Sequence, residues 1–108
     1  MSVRFINKII IIFLVVFSDL SGSGFKEVQP GIFVHLGKHE EINNHNKGDI
    51  CNISFIIGEK SVLVIDSGAS SKIAEMVQKE IRKITNLPIN HLIITHGHPD
   101  HFFGTESF

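Results

Sequence analysis

The sequence predicts a mixed α+β domain. Two apolar runs joined by a short Gly-led turn are followed by a segment of helical period and then by a third apolar run. Strand, helix and strand in that order leave a crossover long enough for parallel pairing of the second and third runs. The third run opens onto Thr95-His96-Gly97-His98-Pro99-Asp100-His101, so three of the seven histidines and a carboxylate fall within six positions at a strand's C-terminal end. Sheets flanked by helices accept ligands at that edge, because the helices cover the faces.

The amino terminus reads as a secretory signal peptide over residues 1–23. Arg4 and Lys8 precede nine consecutive apolar residues, Ile9 to Phe17, and Ser18 to Gly24 is small and polar. The apolar run is too short for a hydrocarbon core that needs about 20 residues, so no stable membrane span is expected after cleavage. Ser21 and Ser23 suit cleavage before Gly24, and the remaining body, residues 24–108, is expected in the periplasm or secreted. Without Arg4, Lys8 and Asp19 it keeps eight basic and ten acidic residues, a net charge of −2. That balance offers no basic field for nucleic acid. Tyr and Trp are absent, which excludes phenolic acid/base chemistry, and Cys51 is the single cysteine, which excludes an internal disulfide. Flanked by Ile50 and Ile53, Cys51 reads as a small buried hydrophobe.

After Gln29-Pro30, the partly alternating Gly31-Ile32-Phe33-Val34-His35-Leu36 suits a strand that leaves a proline bend. Gly37 to Asp49 is polar and without period, hence a long loop, and loops of that length in small domains often carry function. The runs 52–57 and 61–65 form a hairpin around Gly58-Glu59-Lys60. The second is almost continuously apolar, which suits a strand covered on both faces. Asp66-Ser67-Gly68-Ala69-Ser70 is a turn rich in cap formers. Ile73, Val77, Ile81 and Ile84 recur at helical intervals from Ser71 to about Thr85, with Ser70 or Ser71 as the cap and Glu75 near the favourable end of the dipole. Leu87-Pro88 stops this helix, and His91 to Thr95 reads as another short buried strand. Ile65 and Val77 are expected in the core.

Imidazole nitrogens and carboxylate oxygens are zinc donors, and a working site needs about three of them with one position left for water. His96 and His98, two apart in turning backbone, can reach a common centre. Asp100 and His101 lie beyond Pro99, whose fixed φ can turn them toward a second centre a few ångströms away. Asp66 reads either as an ordinary turn residue or as support for that site.

His96-x-His98-x-Asp100-His101, with the hairpin, the Val64-Ile65-Asp66-Ser67-Gly68 turn and the Ile93-Ile94-Thr95-His96 strand end in the same order, resembles the metallo-β-lactamase superfamily of zinc hydrolases over about residues 28–108. Gly31-Ile32-Phe33-Val34-His35, Gly48-Asp49-Ile50-Cys51-Asn52-Ile53 and His98-Pro99-Asp100-His101-Phe102-Phe103-Gly104 are similar to its quinoprotein relay system branch, exported proteins linked to periplasmic quinoprotein dehydrogenases.

The resemblance implies an αββα sandwich of two similar halves, of which this chain is the first. It implies zinc, one or two ions, with His96 and His98 at the first and Asp100 and His101 at the second. Asp66 would support the site from behind. A metal-activated water would attack an ester, thioester or amide carbonyl of a small-molecule substrate, with Asp100 orienting it or carrying its proton. Alternatives that share the motif are β-lactam hydrolysis, thioester hydrolysis of the hydroxyacylglutathione type, and a non-catalytic metal-binding factor serving a dehydrogenase. A third histidine for the first ion, a bridging carboxylate and a last histidine are expected downstream. The 108 residues are therefore expected to be an incomplete, inactive fragment, or a half that pairs with another polypeptide. His35, His39 and His45 are not expected to replace the missing ligands.

Overall fold

A computed structural model describes residues 24–108, and the signal-peptide reading of residues 1–23 lies outside the described residues. Among the described residues, five strands form one sheet in sequence order: β1 (Phe25–Gln29), β2 (Ile32–His35), β3 (Ile53–Ile57), β4 (Val62–Ile65) and β5 (Ile89–Ile93). The first four pair antiparallel, and β5 pairs parallel to β4 across helix α1 (Ser71–Ile84). A one-turn helix, α2 (Pro99–Phe102), and a 3₁₀ turn, Thr105–Ser107, complete the described chain. No described helix is long and apolar enough to cross a membrane.

The core lies between one face of the sheet and α1. Period-2 alternation sends Phe33, Ile53, Phe55, Val62 and Val64 to that face, and Ile73, Ala74, Val77 and Ile81 meet them from the helix. Phe55 is fully buried, stacked on Phe33 at 4.7 Å between centroids and tilted against Phe25 at 5.1 Å. Ser70 caps α1 by accepting from the Ile73 N–H, and Arg82 closes the other end by donating to the Thr85 and Leu87 carbonyls. No acidic residue lies in the first turn; Glu75 falls just past it, where the dipole's pull has faded.

The hairpin, the helix and the aperiodic loop stand where the sequence placed them, and four expectations need correction. First, β2 leaves the proline bend as expected, but a further strand, β1, precedes it. Pro30-Gly31 turns a hairpin between β1 and β2, with Gly31 at φ +77°. Strand β1 was missed because only Phe25 of its five residues is buried. Second, β4 is covered on one face among the described residues, since Leu63 and Ile65 point away from α1 and are only partly buried. Third, Ile65 is for the same reason not a core residue, whereas Val77 is, at 0% exposure. Fourth, β5 starts two residues earlier, at Ile89, and is an edge strand with Asn90, His91 and Ile93 exposed. Pro88 does not delay it: the Pro88 carbonyl accepts from the Val62 N–H and starts the parallel ladder.

Candidate metal centre

Parallel pairing aligns Ile65 with Ile93, so β4 and β5 end side by side, and the Asp66 N–H donates to the Ile93 carbonyl at 2.8 Å. Ile65 and Ile93, 28 positions apart, are thereby adjacent. Asp66 leaves the strand in the left-handed region, φ +65°, a conformation that Asp tolerates better than most residues. Its side chain is buried while Thr95, His96 and His98 are exposed, so the site is an open surface built over one buried carboxylate.

That carboxylate is fully engaged. It accepts from the Thr95 N–H at 2.9 Å, from the Thr95 hydroxyl at 2.9 and 3.1 Å, and from His101 Nδ1 at 2.7 Å. Burial alone raises the Asp66 carboxyl. The hydrogen bonds from Thr95 and His101, with the charge of His101, outweigh it and hold the group below the ordinary carboxylate value. In the neutral ring, donation from His101 Nδ1 leaves Nε2 as the lone-pair nitrogen, 3.5 Å from Asp100 Oδ2. The backbone is pinned at the same place. Ser67 donates to the His101 carbonyl through its N–H at 2.9 Å and its hydroxyl at 3.2 Å, and the Gly104 N–H donates to the Gly68 carbonyl at 3.0 Å. Gly104 is required for this approach, since a Cβ there would stand 2.3 Å from the Ser67 carbonyl oxygen.

His96 and His98 lie in the loop before α2, with Pro99 at the first helical position. Their rings meet edge to face at 4.6 Å, His96 Nε2 standing 3.0 Å from His98 Nδ1, and the His101 ring is 4.1 Å from that of His96. The structure thus brings together all five residues singled out from the sequence: Asp66, His96, His98, Asp100 and His101. Thr95, in contact with both Asp66 and His96, was not among them; its only sequence signal was its place at the strand end before the first histidine.

Among the described residues no group of three or more His, Cys, Asp or Glu side chains is arranged to hold a metal ion. The donor chemistry nevertheless fits a divalent cation. Two nitrogens bound tetrahedrally to one zinc stand about 3.3 Å apart, close to the His96–His98 separation. His35 belongs elsewhere: it is buried against Phe25, and its ring bridges the Gly24 carbonyl at 3.0 Å and Asp49 Oδ1 at 2.5 Å. His39 and His45 are exposed loop residues. That loop is ordered by Asn46, which is buried and makes hydrogen bonds with Asn43, Glu40, Glu41 and Gly48.

A sequence profile of the metallo-beta-lactamase superfamily matches residues 46–108. A linear primary-alkylsulfatase of Pseudomonas sp. is 37% identical over 49 residues, which are 45% of this chain and 9% of the sulfatase. The solved structure of TMB-1, a protein studied for substrate and inhibitor binding, superimposes with a TM-score of 0.58 at 21% identity, over 76% of this chain and 36% of TMB-1. The chain therefore spans only a minor part of either relative. With more than half of its residues in the profile, and with this sheet, helix and histidine loop, the chain belongs to the metallo-β-lactamase superfamily.

Proposed function

We infer that the chain carries the first ligands of an exported zinc-dependent hydrolase centre. The observation that carries this reading is the pairing of His96 Nε2 with His98 Nδ1 beside a His101 ring whose Nδ1 is held by Asp66 and whose Nε2 lies next to Asp100. His96 and His98 would hold one ion, and Asp100 and His101 a second. A bound zinc supplies Lewis acidity and a water acidic enough to ionise near neutral pH. Asp100, partly exposed beside His101, would orient that water or hold its proton. Asp66 keeps His101 in the tautomer that can ligate.

The substrate is a small molecule with a hydrolysable acyl bond: an ester, thioester or amide. The alkylsulfatase similarity supports a second reading, hydrolysis of a sulfate ester. The sequence motifs shared with the quinoprotein relay branch support a place beside a periplasmic quinoprotein dehydrogenase. The Arg4, Lys8 and Ile9–Phe17 pattern supports export. Among the described residues, His35, His39 and His45 lie apart from this cluster and do not complete its ligand set.

The test is His98→Ala in the intact protein, assayed for bound zinc and for turnover of carboxylic ester, thioester, β-lactam and alkyl sulfate substrates. Zinc content and hydrolysis should fall together. Full retention of either would overturn the assignment, and the substrate that is turned over decides between the acyl and sulfate readings.

A further inference from the structure

Thr95 stands between the buried carboxylate and the first histidine of the cluster, and its single hydroxyl proton is the key to what it does. The hydroxyl oxygen lies 2.9 and 3.1 Å from the two oxygens of Asp66 and 2.8 Å from His96 Nδ1. An ionised carboxylate only accepts, so the hydroxyl proton goes to Asp66. The contact with His96 is then satisfied only if His96 Nδ1–H donates to the hydroxyl oxygen. In the neutral ring this leaves Nε2 as the lone-pair nitrogen, and Nε2 is the atom that faces His98 Nδ1 at 3.0 Å.

We propose that Thr95 is a positioning residue, a hydroxyl relay through which Asp66 sets the tautomer and ring orientation of His96. One buried carboxylate therefore aims two imidazoles, His101 by direct contact and His96 through Thr95. The two branches are separable. The Thr95 N–H also donates to Asp66, at 2.9 Å, so removing the hydroxyl leaves the backbone brace and the His101 branch in place. This deepens the metal-centre reading, on which it rests for its consequence in zinc affinity but not for the tautomer itself.

The test compares ¹⁵N-labelled intact protein, wild type, Thr95→Val and Thr95→Ser, in chelator at a pH of about 8 where unperturbed imidazole is neutral. Long-range ¹H–¹⁵N correlation reads which ring nitrogen carries the proton. Wild type and Thr95→Ser should show His96 protonated at Nδ1. Thr95→Val should shift His96 toward the Nε2–H form while His101 stays Nδ1–H. Zinc titration should then show binding about 10- to 100-fold weaker in Thr95→Val and near wild type in Thr95→Ser.

An Nε2–H tautomer for His96 in the wild type overturns the relay outright, and that result does not depend on either variant folding. So does an unchanged His96 in Thr95→Val, or a Ser variant that behaves as Val. A protein with the expected tautomers that binds no zinc supports the relay and overturns the proposed function instead.

Discussion

Replacing Asp66 by Asn keeps the shape of the side chain, removes its charge and turns one of its two terminal atoms from an acceptor into a donor. The oxygen at the Oδ1 position still accepts from the Thr95 N–H and hydroxyl, at 2.9 and 3.1 Å. The amide NH₂ then occupies the Oδ2 position, 2.7 Å from His101 Nδ1, where two donors meet unless the ring changes tautomer. Turning the amide over instead sets its NH₂ against the Thr95 N–H, burying an unpaired donor at a cost of about 1–3 kcal/mol. His101 is partly exposed and can exchange its proton with water, so the ring gives way: Nδ1 becomes the acceptor and Nε2 the N–H. The hydrogen bonds from Thr95 and His101 all lose their charged acceptor, a penalty of about 1–2 kcal/mol. The Nε2 lone pair is lost completely. Chemical denaturation of Asp66→Asn should therefore show a modest fall in stability, while ¹⁵N correlation shows His101 inverted and zinc competition shows affinity about 10- to 100-fold weaker. Wild-type zinc affinity with an unchanged His101 tautomer would refute the claim that Asp66 acts by fixing the proton on His101.

Two further outcomes follow from the packing around the same turn. Gly104→Ala must push α2 off the Ser67 carbonyl, which a Cβ would approach to 2.3 Å. Overpacking of this kind costs about 1–3 kcal/mol; a thermal melt coinciding with that of the wild type would show that the close approach is not required. Cys51 is held protonated, chiefly by burial and then by the charges of Asp100, Asp66 and Asp49, which push its thiol from 9.0 to about 12. Because the folded value lies above the unfolded one, its contribution to stability is complete below pH 9.0 and is lost as pH rises toward about 12. At pH 8 the thiolate should be about a thousandfold scarcer in the folded than in the unfolded protein, so iodoacetamide should modify Cys51 only on unfolding. Rapid alkylation under native conditions would contradict its buried placement.

Local pattern was enough for much of the fold. The helical recurrence of Ile73, Val77 and Ile81, the Ser70 cap and the Gly58-Glu59-Lys60 turn depend on neighbours a few positions away, so the sequence states them directly. The His96–His101 cluster was legible for the same reason: four ligand-type side chains within six positions must share one loop. Strand β1 was not legible, because an edge strand with one buried residue, Phe25, carries almost no alternation. Nor could Ile65 be assigned a face, since an unbroken apolar run leaves open which of its residues turn toward the helix.

The sequence by itself therefore determined which groups this protein brings to its site, and the tertiary structure decided what those groups do for one another. Asp66 is 35 positions from His101 and 29 from Thr95, and no local period links them. They meet because α1 carries the chain back over the sheet so that β5 runs parallel to β4, with Ile65 level with Ile93 and both strands ending at one edge. Hydrogen bonds form only within about 3 Å, so the proton arrangement of the histidines depends on that register.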